Sequence, residues 1–199
     1  FFLRVHIYTK HKNSYYFRPR LLPKSNKEEG GFHSMKHKKI LSFEEIKQER
    51  EFARTLEACG LKKFFIFANG CFDLFHAGHA SLLNAMKNAC SLNSKLVVGI
   101  NGDASVKALK GDGRPIIPAK ERAYMVACHE AVDYVFIFNT KTVSKHLKEL
   151  QPDFWCKGGD YDPDSLNKAE LKAKGNAILK VIPFIKNTST SRIINKIKK

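Results

Sequence analysis

The sequence lacks the two glycine signatures of the commonest nucleotide binders. No GxxxxGK[ST] loop occurs, which disfavours P-loop chemistry, and no GxGxxG follows the first candidate strand, which disfavours a dinucleotide-dependent dehydrogenase. No apolar run approaches the roughly 20 residues that a membrane-spanning helix needs. CxxC pairs are also missing. The five cysteines, Cys59, Cys71, Cys90, Cys128 and Cys156, are scattered, which argues for reduced thiols in the cytoplasm and against a zinc site built around His76 and His79. There is one tryptophan and no internal repeat. What remains is 199 residues with 43% hydrophobic and 27% charged content, enough for one soluble domain with a full core.

Acidic residues are scarce at both ends. Residues 1–40 hold ten Lys/Arg against two Asp/Glu, and residues 172–199 hold eight Lys/Arg and no acid. Residues 41–171 hold seventeen of each and are neutral, so the net charge of +16 does not make the middle a nucleic-acid platform. Residues 1–39 open without methionine, carry Pro19, Pro23 and Gly30-Gly31, and show no lasting periodicity. They read as a disordered or loosely attached basic leader. Two origins fit: a non-native leader with Met35 as the true start, or an organelle-targeting segment. The second domain is then residues 40–199.

From Ile40 the pattern sharpens. Ser42 ahead of Glu44 and Glu45 predicts a capped helix that runs to about Cys59 and stops at Gly60. Strands are predicted at Lys63–Ala68, Lys95–Ile100, Asp133–Phe138, Phe154–Cys156 and Ala177–Pro183. Helices are predicted at Ala80–Ala89, Asp103–Leu109, Pro118–Glu130, Thr142–Leu150 and Asp164–Lys174, with a last one from Thr190. Strands that alternate with helices give an α/β fold. It is a Rossmann-like, doubly wound parallel sheet of about five strands with helices on both faces.

Ligands of such sheets bind beyond the carboxyl ends of the strands. Every polar cluster lands on that rim: Asn69-Gly70-Cys71-Phe72-Asp73 with His76 and His79, then Asn101-Gly102-Asp103, then Lys157-Gly158-Gly159-Asp160-Tyr161, then Thr188-Ser189-Thr190-Ser191. Two histidines three apart at a helix mouth, with Ala77-Gly78 between them, can grip a phosphate. Exposed or capping histidines are the ordinary explanation of a bare HxxH; the strand and Asn-Gly turn ahead of this pair tip the reading to a site. The hydroxyls of Ser189, Thr190 and Ser191 suit a polyphosphate, although simple helix capping would explain them singly. Lys157 with Gly158 joins a cation to a turn that admits a ligand. Lys110 and Arg114 flank Gly111 and Gly113 in a basic loop. Arg122 is a phosphate clamp or a surface charge. Asp73 helps place a metal or stabilises its own turn.

The strand, the Asn69–Asp73 turn and His76-Ala77-Gly78-His79 resemble the HxGH signature of cytidylyltransferase-type nucleotidyltransferases. Ser189-Thr190-Ser191-Arg192-Ile193-Ile194 resembles that family's second, Ser-Thr-Thr-type signature, with Ser191 in place of its last threonine. The similarity is greatest to the adenylyltransferase domains of bacterial ADP-heptose synthases. It runs through Asn69–His79, Asn101–Pro115, Glu130–Asp133, Pro152-Asp153 and Lys157–Tyr161. An acidic loop expected after the third strand reads Asn139-Thr140-Lys141-Thr142 instead.

The resemblance implies transfer of AMP from ATP to a heptose 1-phosphate by in-line attack, with pyrophosphate released. His76, His79 and Lys110 would be catalytic. Asn69, Gly70, Cys71, Phe72, Asp73, Gly78, Arg122, Lys157, Gly158, Asp160, Ser189, Thr190 and Ser191 would bind nucleotide and phosphate. Mg²⁺ would arrive with the triphosphate rather than in a protein cage. A homodimer is implied, with no specific nucleic acid and no membrane as partner. The family often fuses a sugar kinase upstream. Residues 1–40 are too short for one, so a stand-alone form or a fragment is expected. A cytidylyltransferase for glycerol 3-phosphate or phosphoethanolamine is the nearest alternative. A basic nucleic-acid-binding or scaffold domain is the alternative from another class.

Overall fold

The computed structural model describes residues 8–11, 14–17, 37–90, 93–159, 166–183 and 188–199. The chain divides into two units, Phe1–His33 and Ser34–Lys199. In the first, β1 (Tyr8–His11) and β2 (Ser14–Phe17) pair antiparallel, with Tyr8 opposite Phe17 and His11 opposite Ser14. A hairpin therefore stands where the sequence suggested no lasting element. Both stretches are rich in aromatic and β-branched residues, which favour extended backbone, and the prolines and paired glycines fall outside them.

The second unit starts upstream of residue 40. Val135 N–H donates to Lys39 C=O at 2.8 Å and Leu41 N–H donates to Val135 C=O at 2.9 Å, so a boundary at 40 cuts through a β-bridge. Helix α1 (Phe43–Glu57) opens with a capping box in which the Ser42 hydroxyl accepts from Glu45 N–H and the Glu45 carboxylate accepts from Ser42 N–H. The unit continues through β3 (Phe64–Gly70), α2 (Ala77–Asn88), β4 (Ser94–Asn101), α3 (Asp103–Lys110), α4 (Ala119–Ala127) and β5 (Tyr134–Phe138). It ends with α5 (Ser144–Leu150), β6 (Phe154–Gly158), α6 (Lys168–Ala173), β7 (Ile178–Ile182) and α7 (Thr190–Ile197). α4 stops three residues short of its predicted end, and α6 is capped by Asn167, whose side chain accepts from Ala169 and Glu170 N–H.

All five strands β3 to β7 run parallel in the order β5-β4-β3-β6-β7. The chain winds outward from β3 through β4 to β5, then crosses back to lay β6 against the other side of β3. The direction of winding reverses between β3 and β6, which is where a doubly wound sheet opens a crevice.

Side-chain alternation sorts the strands into two cores. On one face Ile66, Ala68, Leu96, Val98, Ile100 and Val135 pack with Leu82, Leu83 and Met86 of α2 and Ala123, Val126 and Ala127 of α4. On the other, Phe65, Phe67, Val97, Phe136 and Trp155 pack with Ile46 and Ala53 of α1 and Leu147 and Leu150 of α5. Each large side chain so buried contributes roughly 1.5–3 kcal/mol. Both faces being covered, the strands read as near-continuous apolar runs, and the polar residues are left at their carboxyl ends.

Candidate active site

The turn after β3 is strained and heavily tied. Phe72 and Leu74 sit at φ 50° and 48°, the left-handed region that costs non-glycine residues about 1–3 kcal/mol. Three anchors hold it. The Phe72 ring is buried in the first core. The Asp73 carboxylate, with its side chain 0% exposed, accepts from Ile116 N–H and Ile117 N–H at 2.9 Å and from Arg114 Nε at 2.7 Å. Burial alone would raise that carboxyl's pKa, but the two amides and the guanidinium outweigh it and hold it below the usual range. Arg122, 1% exposed, donates to Ile117 C=O at 2.8 Å, Cys71 C=O, Asn101 C=O at 2.8 Å and the Asp103 carboxylate at 2.7 Å.

These contacts correct one sequence-based expectation and settle another. Arg122 is neither a phosphate clamp nor a surface charge. Four of its five N–H donors are spent on protein oxygens, and it does not line the cavity described below. For Asp73 the contacts settle the alternatives in favour of a structural role, since both its carboxylate oxygens bond within the protein. Asp73 latches the 111–117 loop to the β3–α2 turn. Arg114 gives its Nε–H to that latch and still lines the cavity described below, whereas Lys110, at the end of α3, is exposed and meets no ion-pair partner among the described residues.

His76 is the N-cap of α2, and its Nδ1 accepts from Gly78 N–H at 3.1 Å. Capping and site-forming roles coincide, because an accepting Nδ1 puts the ring proton on Nε2 and leaves that nitrogen as a donor. The His79 ring stacks on His76 at 3.9 Å between centroids and tilts against Phe72 and Phe75. Burial, then the neighbouring His76, pushes the His79 pKa down to about 4, and burial lowers His76 as well. Both imidazoles are thus neutral donors at pH 7. Gly78 is required by close approach: a Cβ there would lie 2.5 Å from Thr188 Oγ1 and 2.9 Å from the His76 ring. The segment leading into α7 is therefore pressed against the start of α2.

Beyond these groups lies a cavity of about 720 Å³, within the size range of small-molecule sites. Its lining gathers Asn69–Asp73, His76, His79, Lys110, Lys157, Gly158 and Thr188–Ser191. Ser189 caps α7 by accepting from Arg192 N–H at 3.2 Å and keeps its own hydroxyl hydrogen to give. Thr190 differs: its hydroxyl donates to Asp73 C=O at 2.7 Å, so its one donor is committed and it acts as a strut rather than a phosphate ligand. Lys157 is 13% exposed, pairs with Glu170 at 3.1 Å and lies over the Trp155 ring. Asp160 and Tyr161 lie outside the described residues.

Sequence reasoning missed several lining groups. Glu170, whose other oxygen accepts from Val143 N–H at 3.1 Å, and Asn167 sit on a six-residue helix with no signature spacing. Lys141 and Thr142 also line the cavity, as does Asn101, one of the residues that the sequence assigned to the rim. Two buried polar atoms at the site, Asn69 Oδ1 and His79 Nδ1, have no partner among the described residues. Each costs about 1–3 kcal/mol unpaired, and such atoms at a cavity wall mark places where a ligand bonds. Among the described residues, no group of three or more His, Cys, Asp and Glu side chains gathers to hold a metal ion, and no helix is long and apolar enough to cross a membrane.

Stacked neutral imidazoles, uncommitted lysine and serine donors and two helix starts surround one crevice of the α/β sheet. The model of the cytidylyltransferase-like family matches residues 67–196, and the chain belongs to that family of nucleotidyltransferases. It is 43% identical over 163 residues to "Bifunctional protein HldE" of Helicobacter pylori, covering 82% of this chain and 32% of that one. The protein of the same name from Citrifermentans bemidjiense is 43% identical over 135 residues, covering 68% and 27%. That from Nitratiruptor is 40% identical over 159 residues, covering 80% and 32%. The chain thus spans about a third of the length of these relatives.

Proposed function

We propose that the chain transfers AMP from ATP to a heptose 1-phosphate, giving ADP-heptose and pyrophosphate. The observation that carries this reading is the convergence of His76, His79, Lys110, Lys157 and Ser189 on one cavity, in a chain whose relatives bear the name HldE. An oxygen of the sugar phosphate attacks the α-phosphorus; the new P–O bond forms as the bond to the β-phosphate bridging oxygen breaks, and pyrophosphate leaves with that electron pair. No group on the protein need become covalently attached, so catalysis is positioning and charge stabilisation.

His76 Nε2–H and the His79 ring donate hydrogen bonds to the phosphoryl oxygens where negative charge grows. Lys110 reaches the triphosphate from the end of α3. Ser189 and Ser191, at the start of α7, hold the outer phosphates with their hydroxyls and the helix field. Mg²⁺ fits as the counter-ion of the triphosphate, since the Asp73 carboxylate is fully engaged by Arg114 and two amides. Removing residues 1–34 should leave the rate unchanged; a large loss would show that they belong to the site. The protein works in the cytoplasm, and by family analogy as a homodimer, which sedimentation at micromolar concentration would test.

The deciding assay incubates the protein with ATP or CTP and a panel of sugar and polyol phosphates and follows pyrophosphate. Release with ATP and a heptose 1-phosphate alone is expected. Release only with CTP and glycerol 3-phosphate or phosphoethanolamine would replace the heptose reading.

A further inference from the structure

The opposite rim of the sheet holds a second cavity, of about 860 Å³, at the amino ends of β3, β6 and β7. Its charged lining is one-sided. Arg50, Arg54, Lys62, Lys148, Lys172 and Lys174 face it, against the single carboxylate of Asp153. One oxygen of Asp153, Oδ2, accepts from Phe65 N–H at 2.7 Å and pairs with Arg50 at 2.9 Å. Arg54 and Lys62 have partners at the margin, Glu51 and Glu57. Lys148 and Lys172 are exposed and have no ion-pair or hydrogen-bond partner among the described residues.

The two arginines are held in place rather than loose. Gln151 stands at φ 46°; its carbonyl accepts from Arg50 at 3.0 Å and its side-chain oxygen accepts from Arg54 at 2.9 Å. One strained residue thus fixes two guanidinium forks, whose planar donors suit phosphoryl oxygens. Arg50, which lines the cavity, is 7% exposed, and its buried Nε meets no acceptor among the described residues. Cations crowded into one concavity repel each other and raise the local anion concentration. A multivalent anion relieves that repulsion more than a single phosphate can, and the cavity is large enough for it.

We propose that this rim is a second binding site, taking a small molecule with two or more phosphoryl groups. It is separate from the nucleotidyl-transfer cavity, because the two lie at opposite ends of the same strands. Besides β3 and β6 they share a helix: α6 contributes Glu170 to the first cavity and Lys172 and Ala173 to the second. Occupation of the second site therefore bears on the helix that holds Lys157 through Glu170.

The test is calorimetric titration of the full chain with inorganic tripolyphosphate at about 0.15 M salt. Two sites per chain are expected. Lys148→Glu with Lys172→Glu should remove one of them and leave pyrophosphate release at saturating substrates unchanged. Lys148→Gln with Lys172→Gln, a milder change should the reversal disturb folding, should weaken that site about tenfold. His76→Ala with Ser189→Ala should remove the other site instead. A single site that answers only to the His76 and Ser189 changes, or two sites indifferent to Lys148 and Lys172, would overturn the proposal. Neither result depends on which sugar phosphate the enzyme accepts, so failure of the heptose reading leaves this test intact.

Discussion

The two ends of β3 solve opposite problems. At the amino end, Phe65 N–H bonds to Asp153, and Lys62 and Glu57 meet as an exposed ion pair. No left-handed residue occurs between Phe64 and Asn69. At the carboxyl end, two non-glycine residues are left-handed, a carboxylate is wholly buried, and Asn69 and His79 each carry a buried atom without a partner. The amino rim carries one of each, left-handed Gln151 and the unpartnered Arg50 Nε, so the cost is heavier at the carboxyl end. Such local cost accompanies charge at both rims and weights the carboxyl rim the more heavily.

Four changes test that asymmetry, beginning with the largest effect. His79→Ala should lower turnover by about 10²–10³-fold while the thermal midpoint stays near wild type, as pyrophosphate release and calorimetry would show. Unchanged turnover would falsify the role given to His79. Arg122→Met should cost about 3 kcal/mol in urea unfolding, because it strands three carbonyls and the Asp103 carboxylate. Gly78→Ala should cost about 1–3 kcal/mol despite alanine's better helix propensity, and Gly78→Ala with Thr188→Ala should recover much of it. A Gly78→Ala protein as stable as wild type would mean that the α7 segment does not press on α2. At the other end of the strand, Lys62→Gln should leave the unfolding midpoint unmoved.

pH separates the ends further. The His79 pKa lies at about 4 in the folded protein and near 6.5 when unfolded. Between those values the unfolded chain binds more protons. Stability from this group is therefore complete above about pH 6.5 and is lost as pH falls toward 4. The slope should shrink in His79→Leu, measured by urea unfolding at several pH values.

The sequence made the strands and rim legible because each strand is short, apolar and followed at once by polar residues. The His76–His79 pair was legible for the same reason: strand, turn and helix are contiguous. Arg122 was misread, and Asp73 left between two roles, because most of their partners lie far off in sequence; Arg122 answers to Cys71 and Asn101 as well as to nearby Ile117. No local pattern separates a cation spent on carbonyls from one reserved for phosphate. Thr190 misled in the same way, since its hydroxyl is committed to the Asp73 carbonyl. The hairpin at Tyr8–Phe17 was overlooked because neighbouring prolines and charges masked two very short β-favouring stretches.

The Thr190 strut and the Thr188–Gly78 contact bind the last helix to the first βαβ turn across more than a hundred residues of chain. In chain order both histidines and all five parallel strands precede the residues that complete the pocket's wall. A disturbance at residues 188–190 will therefore act on the imidazoles directly, however distant it looks on a linear map.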